Sequence, residues 1–158
     1  MLSAESLRLI DREIEKYPSD QKQSAIMGAL RIAQTEKRWL ASETIEFVAA
    51  YLGMPVMAAY EVASFYNMYD LKPVGKHKIT VCTNLPCALS GGVEAADYLK
   101  QKLGIGFNET TSDGLFTLKE GECMGACGDA PVMLHNNHKM CCRMTRDQID
   151  VMVEELTK

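Results

Sequence analysis

The chain has 158 residues, enough for one domain of ordinary size or one domain with a small extension. Its composition, with 47% apolar and 24% charged residues, is close to that of globular proteins and excludes a disordered or fibrous chain. The net charge is −4, so no summed positive field attracts a nucleic-acid backbone, and we expect no nucleic-acid partner.

Neither a membrane span nor a targeting segment is expected. The longest apolar stretch, residues 47–60, has 14 residues and contains Gly53 and Pro55, whereas a membrane helix needs about 20. The first 17 residues contain several acidic side chains and lack the pattern of a secretory signal or a transit peptide. We therefore expect a cytoplasmic protein without direct membrane insertion.

Residues 1 to about 67 have the apolar spacing of helices. The second predicted helix runs over residues 20–37, Ser42 caps the third and Gly53 ends it. Pro55 suits the first turn of a fourth helix, which would end near Tyr66. The apolar stripes are Leu7, Ile10, Ile14 and Tyr17 before Pro18, then Ile26, Leu30 and Ala33, then Ile45, Ala49 and Leu52. Three or four short helices predict a small bundle.

The pattern changes at the turn-rich residues 72–75, so we place a domain boundary between residues 72 and 73. The second part is predicted to contain, in order, β, α, β, β, β and α elements. Thr145 and Gln148 form a capping box at the start of the last helix. The first strand contains Ile79 and Val81, and the helix after it has Val93, Ala96, Leu99 and Leu103 on its inner face and ends at Gly104. The next three strands cover residues 115–119, 132–134 and 139–143, with Asn136 and Asn137 in the hairpin between the last two. The final helix has the apolar positions Ile149, Met152, Val153 and Leu156, preceded by Met144.

Four of the six cysteines form two spaced pairs. Cys82 and Cys87 follow a predicted strand as Cys-x4-Cys, and Cys123 and Cys127 form Cys-x3-Cys in a glycine-rich segment. The 35 intervening residues suffice for a helix and a strand that return the chain to the same end of a sheet. Cysteine makes up about 4% of the chain, below the ~8 to 10% of disulfide-rich secreted scaffolds, which favours reduced thiols. Four thiolates on two loops suit either zinc or an iron-sulfur cluster.

The residues around the pairs favour the cluster. Glycines near both pairs allow backbone N–H groups to approach the sulfur atoms. Glu120, Glu122 and Asp129 lie close to the second pair, and Lys119 is its nearest cation in the sequence. Since acidic neighbours disfavour the more negative reduced state, we expect a cluster of low reduction potential.

The remaining cysteines and histidines have weaker signals. Cys141 and Cys142 are adjacent in a predicted strand, so their side chains point to opposite faces and one core thiol and one exposed thiol are expected. A minor role as a spare ligand or redox sensor stays open. His135 and His138 flank a turn and are expected to be ordinary surface histidines.

No nucleotide-binding motif is apparent. Gly104 and Gly106 lack the third glycine of a dinucleotide fingerprint and follow a predicted helix instead of a strand. We therefore expect any nicotinamide or flavin to be bound by another chain.

The sequence resembles the thioredoxin-like 2Fe-2S subunit, of the 24 kDa type, of NADH:quinone oxidoreductase, respiratory complex I. The resemblance covers almost the whole chain. It rests on the segments YPSDQKQSAIMGALRIAQTEKRWL, LGMPVMAAYEVASFYNMYDLKPVGKH, ITVCTNLPCALSGG, ETTSDGLFTL and ECMGACGDAPVML. The ordered Cys-x4-Cys and Cys-x3-Cys pairs in this frame strongly favour the cluster over zinc.

The resemblance implies an α+β or α/β chain with an N-terminal helical bundle, residues 1–72, and a thioredoxin-like 2Fe-2S ferredoxin domain, residues 73–158. Cys82, Cys87, Cys123 and Cys127 would hold one 2Fe-2S cluster. The implied partners are the flavin- and NADH-binding subunit, which would carry FMN and NADH, and a larger iron-sulfur subunit. The chain would be an electron-transfer subunit without a substrate site, cytoplasmic and peripheral to the inner membrane through its complex.

Two positions depart from the family pattern. Arg38 precedes Trp39 where the family usually has glycine, and Cys141 and Cys142 occupy a strand where polar or aromatic residues are expected. Pro131, just before a strand, is a candidate for the cis-proline of this fold.

Three questions stay open at the level of sequence. The same module resembles subunits of soluble NAD-linked hydrogenases and formate dehydrogenases, and a zinc-stabilised adaptor is a more remote alternative. The aromatic residues Phe65, Tyr66 and Tyr69, with Met68, fit either a buried core or a docking surface for the flavin subunit.

Overall fold

Helices make up the first unit of the chain, Met1–Pro73, in the computed structural model, which describes all residues from 1 to 158. The α-helices are α1 (Ala4–Ile14), α2 (Ile26–Lys37), α3 (Ser42–Leu52) and α4 (Val56–Phe65), and a 3-10 helix, Lys22–Ala25, precedes α2. The core contains Ile10, Leu30 and Ile45, one from each of the first three helices, all fully buried. The predicted helical bundle is confirmed, and so are its apolar stripes apart from Tyr17.

Two helix ends differ from the prediction. Helix α1 ends at Ile14, so Tyr17 lies outside it and is exposed. A proline disfavours the α conformation of the residue before it. Pro18 therefore acts against a helical conformation of Tyr17, which accounts for the early end of the helix. Ala41, and not Ser42, occupies the N-cap position of α3, and the Ser42 hydroxyl instead accepts a hydrogen bond from Tyr60.

Arg38 ends helix α2 in the left-handed conformation. Its φ is +74°, and its backbone N–H donates to the carbonyl of Gln34 at 2.6 Å. Glycine adopts this conformation without the steric cost that a Cβ imposes. A glycine at this position, which the resemblance implies for the family, would therefore have a direct conformational reason.

The aromatic residues near the end of the first unit are divided between core and surface. Tyr69 is buried, and its hydroxyl donates to the carbonyl of Met27 at 2.8 Å. Phe65 is 81% exposed. The core interpretation therefore applies to Tyr69 and not to Phe65.

A mixed five-stranded sheet organises the second unit, Val74–Lys158. The strand order is β2-β3-β1-β4-β5, with β1 and β3 parallel and the other neighbouring pairs antiparallel. The strands are β1 (His77–Cys82), β2 (Glu109–Thr110), β3 (Phe116–Gly121), β4 (Met133–His135) and β5 (Lys139–Cys141). The α-helices are α5 (Leu85–Ala88), α6 (Gly92–Leu103) and α7 (Arg146–Thr157), and a 3-10 helix spans Cys127–Asp129.

The core of this unit joins the sheet to the two long helices. Ile79 and Leu118 from the central strands, Leu99 from α6 and Ile149 from α7 are all fully buried in it. Thr145 caps α7, accepting a hydrogen bond from the Gln148 N–H at 3.4 Å. None of the helices of the chain has both the length and the apolar character needed to cross a lipid bilayer.

Some local features of the second unit differ from the prediction. The elements α5 and β2 were not expected, and they are only four and two residues long. Val93 was expected to point inward, but it is half-exposed because position 92, filled by Gly92, turns toward the interior at the start of α6. The last strand, predicted over residues 139–143, ends at Cys141 and not at Arg143. The φ of Arg143 is +54°, which departs from strand geometry. Asn136 and Asn137 form the predicted hairpin with positive φ angles, and the Ala130–Pro131 bond is cis.

Candidate metal centre

The two cysteine pairs lie at one end of the two parallel strands. Cys82 is the last residue of β1, and it is in register with Gly121, the last residue of β3. Cys87 lies in α5, directly after β1, while Cys123 and Cys127 follow β3. Because both strands end at the same edge of the sheet, the two loops that carry the thiols begin side by side.

The thiol groups of the two loops interact with one another. Burial, a hydrogen bond with Cys82 and the charges of Cys82 and Cys127 raise the pKa of Cys87 to about 11. Loss of hydration, then the neighbouring Cys123, then Cys82 raise the pKa of Cys127. The structure therefore brings all four predicted thiols into one electrostatic group, in which a bound cation would favour the thiolate forms.

The four sulfur atoms are arranged as two pairs. Cys82 is hydrogen-bonded to Cys87, and Cys123 to Cys127. A 2Fe-2S cluster divides four thiolates between two iron atoms, so the paired arrangement fits such a cluster.

One pair is buried and the other faces solvent. Cys82 and Cys87 are 1% and 2% exposed, and they pack against Val132. Cys123 and Cys127 are exposed. A group held between the pairs would have an apolar wall on one side and an open side through which an electron could pass.

Backbone geometry supports close packing around the sulfur atoms. Gly125 has a φ of +73°, and its N–H donates to Sγ of Cys123 at 3.4 Å. This contact confirms the prediction that glycines bring N–H donors to sulfur. Gly92 lies so close to the loop that a Cβ there would be 2.8 Å from the carbonyl oxygens of Cys82 and Cys87.

Two side-chain hydrogen bonds connect the loops. The Thr83 hydroxyl donates to Oε1 of Glu120 at 2.6 Å, and Nδ2 of Asn84 donates to Oε2 of Glu122 at 3.2 Å. The acidic residues that the sequence placed near the second pair therefore also contact the first loop. They give the site a negative surrounding, which disfavours the addition of an electron.

Two features of the site were missed by the sequence analysis. Arg143, from the segment between β5 and α7, forms an ion pair with Asp129 beside the second pair. No local pattern in the sequence connects these residues. Leu85 and Leu89 are 71% and 81% exposed on either side of Cys87. Their spacing of four residues could have indicated a shared helical face.

The other cysteines and histidines lie outside the group of four thiols. Cys142 is exposed, as predicted, whereas Cys141, the expected core thiol, is only half-buried beside the sheet core. His138 is exposed, as predicted. His135 is not an ordinary surface histidine: its Nε2 lies 3.0 Å from Nδ1 of His77, because antiparallel pairing places β4 next to β1.

Comparison with known proteins places this geometry in a family. The model of the thioredoxin-like 2Fe-2S ferredoxin family matches residues 10–157. The chain is 44% identical to a subunit of the NADH-quinone oxidoreductase of Rickettsia felis, over 95% of this chain and 90% of that one. It is 38% identical to NADH-quinone oxidoreductase subunit 2 of Thermus thermophilus, over 93% of this chain and 81% of that one.

A solved structure supports the fold. The air-oxidised NAD+-reducing NiFe hydrogenase superposes with a TM-score of 0.73 over 89% of this chain and 24% of the hydrogenase chain, at 19% sequence identity. At that identity the likeness concerns the fold alone. The family model, however, matches most of the length of this chain, and the shared fold agrees with that match. The chain therefore belongs to the thioredoxin-like 2Fe-2S ferredoxin family.

Proposed function

We propose that this chain is the one-electron-carrier subunit of an NADH:quinone oxidoreductase, respiratory complex I, and that its four paired thiols hold one 2Fe-2S cluster. The observation that carries the proposal is the meeting of Cys82, Cys87, Cys123 and Cys127 at the end of two parallel strands. The relatives named above as subunits of NADH-quinone oxidoreductase support the choice of complex.

The residues of this chain have separate parts in that function. The cluster, when bound, accepts and releases one electron at a time. The buried pair keeps water from one side, since Cys82 and Cys87 pack against Val132. The Gly125 N–H donates to a ligand sulfur, and such donors stabilise negative charge there. The chain would thus be an oxidoreductase subunit with no substrate site of its own.

The proposed partners are those that the relatives named as subunits of NADH-quinone oxidoreductase suggest. We propose that the flavin- and NADH-binding subunit of the same complex holds FMN and NADH, and that a larger iron-sulfur subunit lies beside it. Leu85 and Leu89 support a docking face close to the cluster, because both are strongly exposed and flank Cys87. The chain would then be cytoplasmic and attached to the inner membrane only through its complex.

We also propose that residues 1–72 and 73–158 are separate domains. The division of the chain into the units Met1–Pro73 and Val74–Lys158 supports this. Each unit has its own buried core.

The direct test is chemical analysis of the purified chain. We expect about two iron and two sulfide per chain, a visible absorption band that dithionite bleaches, and a paramagnetic signal after reduction. Cys123→Ala should abolish these signals or reduce them strongly, whereas Cys142→Ala, a change at another exposed thiol, should leave them unchanged. A colourless chain that binds one zinc and no iron would contradict the proposal.

A soluble NAD-linked hydrogenase is the second candidate for the host complex, because the hydrogenase shares this fold. Co-purification from the native source distinguishes the two. FMN without nickel, together with NADH-dependent quinone reduction, supports complex I. Nickel, together with hydrogen-dependent NAD+ reduction, supports the hydrogenase.

A further inference from the structure

Arg143 contacts the second cysteine loop through both its side chain and its backbone. Its Nη2 lies 2.9 Å and its Nε 3.1 Å from Oδ1 of Asp129. Its backbone N–H donates to the Asp129 carbonyl at 2.8 Å. Asp129 is two residues beyond Cys127, in the same 3-10 helix, so these contacts act directly on the segment that carries a predicted ligand.

The next residue attaches the same loop to the core. The N–H of Met144 donates to the Pro131 carbonyl at 3.0 Å, and the Met144 side chain is buried in the core of the second unit. Residues 143 and 144 therefore run beside residues 129–131 and fix them to the sheet domain. The exposed loop of Cys123 and Cys127 has its downstream attachment here.

The backbone of Arg143 is held in an uncommon conformation. Its φ is +54°, which residues with a Cβ seldom adopt. The surrounding hydrogen bonds maintain it, since the Thr145 N–H also donates to the Arg143 carbonyl at 2.8 Å. Conformations of this kind persist where the surroundings impose them, and they are often found at functional sites.

Stability alone does not account for the ion pair. The side chains of Arg143 and Asp129 are 78% and 49% exposed, and exposed pairs contribute little to folding free energy. The pair does, however, place a guanidinium beside Asp129, whose carboxylate lies two residues from Cys127. A positive charge there favours the more negative, reduced state of any group that the thiols hold.

We propose that Arg143 is a positioning residue for the second ligand loop, and that its charge raises the reduction potential of the centre. The proposal rests on the proposed function for its electrochemical part only. The positioning part concerns residues 123–131 and holds for the chain with or without the cluster.

The first experiment measures the midpoint potential of the full chain with its cluster. Arg143→Gln should lower the potential by an amount equivalent to up to a tenfold change in the one-electron equilibrium, about 59 mV. Arg143→Lys keeps the charge and should restore most of the difference. Asp129→Asn should raise the potential, and the double variant Asp129→Asn with Arg143→Gln should return it toward the wild-type value.

Arg146→Gln is the matched control. It removes the same charge three residues away, where the Arg146 guanidinium lies 5.3 Å from the ring centre of Tyr98. A shift for Arg143→Gln no larger than that of this control would overturn the electrochemical part.

The second experiment measures hydrogen exchange in residues 123–131 of the full chain prepared without iron. Arg143→Gln should accelerate exchange there severalfold, and Arg143→Lys should do so less, while exchange in α6 stays unchanged. Unchanged exchange in residues 123–131 would overturn the positioning part. If the wild-type chain binds no iron and sulfide, the proposed function fails, yet this second experiment still decides the role of Arg143 in the loop.

Discussion

Gly92 is pressed against the carbonyl oxygen of Cys87. A Cβ built on Gly92 would be 2.8 Å from that oxygen, equally near the Cys82 carbonyl oxygen and 2.9 Å from the Cys87 carbonyl carbon. All three atoms belong to the backbone, so they cannot move aside as a flexible side chain would. The first turn of α6 and the loop that carries the proposed ligands Cys82 and Cys87, the first ligand loop, can approach this closely only because position 92 has no side chain.

The first prediction is that Gly92→Ala displaces the first ligand loop. We expect the iron content to fall strongly and the free energy of unfolding to decrease by about 1–3 kcal/mol, as for overpacking elsewhere in proteins. Iron analysis and urea unfolding measure the two effects. Gly128→Ala is the matched control, because a Cβ at Gly128, one residue after the proposed ligand Cys127, would meet no atom within 4 Å. Equal iron loss in both variants would contradict the steric explanation.

The second prediction concerns the end of α2. Arg38→Gly should stabilise the first unit by roughly 0.5–1 kcal/mol, because it removes the steric cost of a Cβ at a φ of +74°. Glycine also gives the unfolded chain more conformational entropy, which offsets only part of this gain. Thermal or urea unfolding measures the change. Arg38→Ala keeps the Cβ and should not stabilise the chain. A stabilisation of equal size in both variants would show that the arginine side chain, and not φ, is responsible.

The third prediction concerns acid stability of the first unit. Hydrogen bonds from Ser6, Lys37 and Ser3 lower the pKa of Glu36 from 4.5 to about 2. This carboxylate therefore contributes stability that is fully present above pH 4.5 and is lost as the pH falls toward 2.

Glu36→Gln should lower stability near neutral pH and make the decline between those two pH values shallower. Urea unfolding across this range measures the slope. Glu61→Gln, at an exposed glutamate of α4, is the control and should keep the wild-type slope. An unchanged slope for Glu36→Gln would contradict the assignment.

The fourth prediction uses the histidine pair of the sheet. Burial, then the proximity of His77 and then that of Lys139 lower the pKa of His135 below 6.5. The folded chain therefore takes up a proton at His135 less readily than the unfolded chain. The stability due to neutral His135 is present above pH 6.5 and is lost as the pH falls below that value.

His135→Asn should reduce this acid-dependent loss. The measurement is the urea midpoint at a pH above and a pH below 6.5. His138→Asn is the control at the exposed end of the same hairpin, and it should behave as the wild type. If the two variants have the same pH dependence, the contact between His77 and His135 does not cause the loss.

The fifth prediction tests the proposed docking face. Leu85→Ser and Leu89→Ser should each weaken co-purification with the flavin-binding subunit, because apolar contacts at an interface are lost. The iron content of the chain should stay unchanged, since both side chains point to solvent. Val151→Ser, an exposed apolar position on α7, is the control. Normal association of the double leucine variant would contradict docking at this face.

The apolar spacing predicted the helical unit well because periodicity and burial are directly linked. Ile10, Leu30 and Ile45 were placed in the core from spacing alone, and all are fully buried. Tyr17 was misplaced because the same spacing continues past the point where the following proline ends the helix. Periodicity identifies the apolar face, whereas the end of a helix depends on backbone sterics.

The candidate metal centre was predictable only in part. The spacing of the cysteines and the length of the chain between them indicated two loops at one sheet edge, as β1 and β3 now show. The contact of Arg143 with Asp129 joins residues 14 positions apart through an uncommon backbone conformation, and nothing in the sequence pattern indicates it. Short elements such as α5 were also missed, since four residues are too few to show a helical period.

The register of the parallel pair β1 and β3 fixes the position of one cysteine pair relative to the other. A slip of one residue would move one cysteine pair by about 3.3 Å relative to the other and turn the side chains of that strand to the opposite face. A length change inside either strand is therefore costly. By contrast, extra residues in the loops on either side of β2, between Leu103 and Glu109 or between Thr110 and Phe116, lengthen the path of the chain without moving the sulfur atoms. Natural variation in length should accumulate in that connection.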